Sequence, residues 1–199
     1  HRLVVLADTT HSAHRVDPTA RHHPLATVAA DRPGAPFLVA SGLAHGYGMA
    51  GARIGALGGP PDLVRACLQV KIAAVRLNTN RLAQVGAAAA LRDAAWPRRG
   101  EEVIRRNLAA VERVAPPVVR PAYGFSCVLD VSGIGASAQE LTVALCARRV
   151  AVYPGDGLGE VGATTTIRVN LSDPDPRAVE RFAAAFPEAA AEAATGVYR

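Results

Sequence analysis

Six side chains in this 199-residue chain combine reactive chemistry with suggestive spacing. The segment Ser41-Gly-Leu-Ala-His45-Gly-Tyr47-Gly-Met-Ala-Gly51-Ala-Arg53-Ile-Gly55 places an imidazole, a phenol and a guanidinium within nine residues. Histidine titrates near neutrality and suits proton transfer. A guanidinium pairs bidentately with phosphate or carboxylate. Gly48 and Gly51 permit close approach of the backbone to a ligand. Upstream, Asp8-Thr-Thr-His11 follows the apolar run Leu3-Val-Val-Leu-Ala7. By itself an Asp after a strand is a common turn or capping residue. Downstream, Arg168 lies in Thr165-Thr-Ile-Arg-Val-Asn170, where a strand arginine in a surface salt bridge is the plain alternative to an anion grip. Near the amino end, His11, His14, His22 and His23 gather close to Asp8 and Asp17, ligand types that suit zinc or iron, although the spacing matches no standard metal motif.

Taken in order, these segments resemble the class I and II aminotransferases, enzymes of fold type I that use pyridoxal 5'-phosphate (PLP). Tyr47-Gly-Met-Ala-Gly51-Ala-Arg53-Ile-Gly55 is similar to the family's Tyr-Gly-Leu-Ala-Gly-x-Arg-x-Gly. Tyr153-Pro-Gly-Asp156 through Arg168-Val-Asn-Leu-Ser172 resembles its carboxy-terminal signature, and Asn78-Thr-Asn-Arg-Leu-Ala-Gln84 resembles its Asn-x-Leu-Ala-Gln helix. The resemblance implies that Asp8 pairs with the pyridine nitrogen of the cofactor, that His11 lies near the ring hydroxyl, that Ser41, Tyr47 and Arg53 contribute to cofactor and phosphate binding, and that Arg168 grips the substrate carboxylate. Two positions depart from the family. Gly42 stands where a hydroxyl residue often helps bind phosphate, with Ser41 one place away. His45 stands where the family has its Schiff-base lysine, and an imidazole cannot form that bond. Lys71, the single lysine, falls within a predicted helix away from the loop.

Three readings follow for His45. A modified enzyme binds PLP or pyridoxamine 5'-phosphate (PMP) non-covalently and uses His45 as acid or base on an amino or keto acid. A non-catalytic subunit or pseudoenzyme completes a partner. A repurposed pocket serves a metal or works without the cofactor. Joint retention of Asp8, Arg53 and Arg168 favours the first. The altered slot suggests specialised metabolism.

Half the residues are apolar and a fifth charged, a globular profile for one domain or one and a half. The formal charge of +5 comes from arginines spread along the chain and mixed with acids; aromatics are few, which argues against nucleic acid as a partner. Cys67, Cys127 and Cys146 form no CxxC pair and read as buried free thiols of a reducing, cytoplasmic setting. No apolar run reaches membrane-spanning length and no signal peptide is visible.

These features predict an α/β chain. Residues 1–97 read as the latter part of a PLP-binding large domain, with three strands of a mainly parallel sheet and the interdomain helix; residues 98–199 read as an α+β carboxy-terminal small domain. Buried strands are expected at Leu3–Ala7, Phe37–Ala40 and Ala52–Leu57, with a short helix near residues 24–31. Helices are expected near 61–75, 79–95 and 100–114, with Trp96-Pro97 as a break between the last two. Then come a strand at Ser126–Val131, a helix to Arg149 opened by a Ser137/Glu140 capping box, strands at Val150–Tyr153 and Thr165–Asn170, and a closing amphipathic helix over Asp175–Ala194. The resemblance covers only the carboxy-terminal half of a standard family member. Three strands alone would leave apolar faces bare and an edge unpaired. A missing amino-terminal half is therefore expected as a separate or cleaved chain, within a dimer or larger assembly.

Overall fold

The computed structural model describes residues 3–25, 27, 31, 35–75 and 78–198. The chain divides into two compact units, His1–Arg98 and Arg99–Arg199.

The first unit holds a three-stranded sheet of β1 (Val5–Asp8), β2 (Phe37–Gly42) and β3 (Gly55–Gly58), in that spatial order. β1 and β2 run parallel, with Asp8 opposite Ala40; β3 turns back antiparallel, with Gly55 opposite Gly42. The sheet is thus mixed. β3 starts three residues later than expected, because Ala50–Ala52 form a 3-10 turn and Arg53 takes a left-handed backbone (φ 49°). These strands are not buried as their apolar composition suggests. Val5, Leu6 and Leu57 are 51%, 62% and 40% exposed. Apolar composition marks what a strand is able to bury, and the partner surface decides whether it does.

Helix α1 (Pro61–Ala74) opens with proline in its first turn, where the missing N–H costs nothing. Its Leu63, Val64 and Cys67 are half-buried, while Leu68 and Ile72 stay exposed. Asn80 caps α2 (Arg81–Ala90) by accepting from the N–H groups of Leu82 and Ala83. The break expected at Trp96-Pro97 is instead the first turn of α3 (Ala95–Glu112). Asp93 Oδ1 accepts from the N–H groups of Ala95 and Trp96, and Pro97 sits where a helical N–H has no partner anyway. The boundary between the units therefore falls inside a helix. The short helix expected near 24–31 lies for the most part outside the described residues.

The second unit packs helices on one face of an antiparallel sheet ordered β4 (Pro117–Val119), β5 (Ser126–Asp130), β7 (Thr166–Asn170), β6 (Tyr153–Pro154). β4 has no counterpart among the expected strands, and β6 is shorter than the expected Val150–Tyr153. Alternation along β5 and β7 buries Cys127, Leu129, Ile167 and Val169 on one face. Against them lie Ile104, Leu108 and Val111 of α3, Leu141 and Leu145 of α4 (Ala138–Ala147), and Phe182 and Phe186 of α5 (Pro176–Ala194). Each such fully buried side chain contributes roughly 1.5–3 kcal/mol. The Ser137/Glu140 capping box forms at the start of α4 as expected. Of the three thiols expected to be buried, only Cys127 is; Cys67 is half-buried and Cys146 exposed. Burial pushes the Cys127 thiol up to about 11. No described helix is long and apolar enough to cross a membrane.

Candidate active site

Within the first unit, β1 and β2 end on the same edge of the sheet, and β3 begins there. Ligands of open α/β sheets gather at such carboxyl edges. Asp8 closes β1 there. Its Oδ1 accepts from both the hydroxyl and the N–H of Thr10, so an Asx turn fixes the carboxylate. The Thr10 hydroxyl, then the Thr10 N–H and finally the charge of His11 hold the Asp8 carboxyl below its ordinary value. Oδ2 accepts no hydrogen bond among the described residues.

The turn after Asp8 carries His11 onto His45. The two imidazoles stack with centroids 5.0 Å apart and planes 19° from parallel. Both side chains are exposed. Glycine makes this meeting possible, since a Cβ on buried Gly46 would lie 2.4 Å from the Cβ of Ala13. At Gly42 a Cβ would lie 3.2 Å from the Thr10 methyl, so Thr10 fills space beside the position where the family often has a hydroxyl residue.

The loop between β2 and β3 is closed on itself. Leu43 N–H donates to Ile54 O, and the Leu43 carbonyl accepts from the N–H groups of Tyr47 and Met49. Leu43 is buried and Tyr47 half-buried. Arg53 is exposed, and its guanidinium makes one long bond, 3.3 Å, to Ala50 O. A non-glycine residue held in the left-handed region is a local strain of the kind that collects at ligand sites. Ser41 does not join this group. Alternation along β2 turns it to the face opposite Asp8 and Gly42.

Other sequence candidates separate. Asp17 Oδ1 is taken by the N–H and hydroxyl of Thr19. His14 is buried, 6% exposed, with Nδ1 unpartnered among the described residues. His22 instead lines a cavity of about 360 Å³ with Thr9, Phe37 and Val39. Among the described residues no group of three or more His, Cys, Asp or Glu stands ready to hold a metal ion. Lys71 sits in the last turn of α1.

In the second unit Arg168 sits in β7 between Val128 and Tyr153, on the face opposite buried Ile167 and Val169. Its guanidinium lies over the Tyr153 ring, 4.7 Å from the centroid. It forms no ion pair among the described residues.

The family model for aminotransferase class I and II matches residues 1–186. The chain belongs to this family. No curated protein matches it. Among solved structures this aminotransferase-family chain is similar to a protein from Clostridium difficile 630 solved with PLP bound, at 20% identity and a TM-score of 0.81, over 96% of this chain and 50% of that one. It is similar to LysN, the alpha-aminoadipate aminotransferase of Thermus thermophilus, solved with N-(5'-phosphopyridoxyl)-L-leucine, at 21% identity and a TM-score of 0.79, over 96% and 51% of the two chains. A Thermus thermophilus aspartate aminotransferase is 23% identical, with a TM-score of 0.77 over 93% and 49%. At these identities the likeness is one of fold, a partial fold type I. The aminotransferase-family chain spans about half the length of the solved relatives it matches.

Residue reasoning does not foresee Thr10 or Gly46. Asp-x-Thr is a legible Asx-turn pattern. The Gly46–Ala13 contact joins residues 33 positions apart and leaves no local signal.

Proposed function

We propose that this chain is an aminotransferase-like protein that binds PLP or PMP without a covalent link and handles protons through His45. The observation carrying this reading is the Asp8–His11–His45 group at the carboxyl edge of the sheet, with the imidazoles stacked 5.0 Å apart. When bound, the cofactor supplies an electron sink for bonds at the substrate's α-carbon. The donor set fits it. Asp8 Oδ2 is open to a protonated ring nitrogen, and the lowered Asp8 pKa keeps the carboxylate charged for that purpose. Arg53 is held by one weak bond and supplies a phosphate partner. His11 stands beside His45, in the slot that the family places near the ring hydroxyl. His45 cannot make the family's covalent link, and its ring nitrogens hold or release a proton instead. Arg168, with no carboxylate partner among the described residues, supplies the cation for an amino or keto acid.

The exposed apolar strands of the first unit support a complementing amino-terminal half, as a separate or cleaved chain, in a dimer or larger assembly. The same exposure favours the second reading, a non-catalytic subunit that completes such a partner.

The test mixes the chain with a polypeptide carrying the missing half and titrates PLP and PMP, following visible absorbance. Borohydride treatment and mass spectrometry follow. The expected result is cofactor that dialyses away, no covalent adduct on the wild type, and an adduct on His45→Lys. An adduct on Lys71 would overturn the non-covalent reading. No cofactor binding by either form would overturn the cofactor reading. Binding with no spectral response to amino or keto acids would favour the non-catalytic subunit.

A further inference from the structure

The second unit contains a cavity of about 570 Å³ that none of the candidate site residues lines. Its floor is apolar, built from Val150, Val169, Val179 and Phe182, all buried. Arg149 and Arg181 are also among its lining residues. Both are exposed, and neither forms an ion pair among the described residues, although the charge of Arg181 acts on Asp175. The neighbouring Arg148 behaves oppositely and is held by Glu188 and Glu192 at 3.6 and 2.6 Å. Asp173, also on the wall, forms no ion pair with the arginines among the described residues; its Oδ1 accepts from the Asp175 N–H. Asn107 at the back wall is spent on the Leu171 and Asp173 carbonyls.

The backbone at Arg149 adds a second observation. Val150 N–H bonds to Leu145 O and Arg149 N–H to Cys146 O, which is the Schellman closure of α4. Arg149 occupies the left-handed position of that motif, φ 60°, where glycine carries no penalty. The fold keeps a strained arginine on the cavity wall, at a place that glycine would close more comfortably.

We infer that this cavity is a binding site for a small organic anion with an apolar body, the charge held by Arg149 and Arg181 and the body laid on Val169, Val179 and Phe182. A volume of this size suits a small ligand. Carboxylates and phosphate esters share the required chemistry. The inference lies within one unit and is independent of the cofactor reading.

The test titrates this chain with 3-phenylpropionate, phenyl phosphate and neutral benzyl alcohol, recording amide chemical shifts. The anions should move Val169, Phe182 and Ala151 with Kd of order 1 mM, the range set by ligands of about ten heavy atoms. The alcohol should not move them. The stronger of the two anions identifies the head group. Arg149→Gly should weaken binding at least ~10-fold while raising Tm by ~4 °C through relief of the backbone. Arg181→Gln should weaken binding without moving Tm. Equal perturbation by benzyl alcohol, no perturbation by either anion, or wild-type affinity in both variants would overturn the inference. A drop in Tm for Arg149→Gly would make Arg149 a structural residue and overturn it too.

Discussion

At the scale of single residues, the candidate site depends on an absence of atoms as much as on functional groups. Gly46 lets two turns meet, and the His11–His45 stack follows from that meeting. An added methyl at 2.4 Å from the Ala13 Cβ has no flexible neighbour to push aside, because that Cβ is fixed to backbone. Gly46→Ala should therefore cost about 1–3 kcal/mol in urea denaturation and abolish the ring-to-ring NOE between His11 and His45. A retained NOE with unchanged stability would show that the turns are not pinned there. The types of the site residues are legible in sequence, since His45, Arg53 and Asp8 stand out by motif. Their arrangement is only partly so. Ser41 is adjacent to Gly42 in sequence, yet the pleat turns it to the other face. The left-handed Arg53 and Arg149 give no warning either, because nothing in the type of a residue announces that tertiary packing will hold it at positive φ.

At the scale of elements, local rules are legible where the deciding atoms are neighbours in sequence. The Ser137/Glu140 capping box is such a case. Pro97 shows the limit. The same residue ends a helix from within and suits its first turn, and Asp93 decides between the two by capping Ala95 and Trp96. The exposure of β1 is legible only from the half of the family fold that the sequence does not cover: periodicity reports a strand's composition, and its covering layer is set elsewhere. Asn107 represents what sequence conceals altogether. It is a buried polar residue of α3 whose amide nitrogen donates to Leu171 O at 2.9 Å and Asp173 O at 2.8 Å, so it ties the helix to the strand end. Asn107→Ala leaves both carbonyls without that donor and should cost about 2–4 kcal/mol, read as a lowered urea midpoint with unchanged slope. A loss below about 0.5 kcal/mol would mean that water replaces the amide at both carbonyls.

At the scale of the whole molecule, the two units are unequally built. Among the described residues, the first unit buries Val16, Leu43 and Ala87 as its apolar core, whereas the second buries a continuous set from Ile104 to Ala193. Hydrogen exchange should separate them. Amides of β5, β7, α4 and α5 should exchange at least about a hundredfold more slowly than those of β1, β2 and β3. Equal protection would show that the first unit draws stability from a source other than its own packing.

The helix that crosses the boundary has a consequence for anyone altering the gene. Domain junctions usually tolerate added residues because they lie in exposed turns. Here Arg98 and Arg99 are consecutive residues of α3, so an insert at the boundary must itself be helical or break the i→i−4 bonds that hold the first turn to the rest of the helix. The tolerant place is instead the exposed turn at Leu91 and Arg92, just ahead of the Asp93 cap. A chimaera joined at the apparent boundary would be cut through a helical turn, and one joined a few residues earlier through an exposed loop.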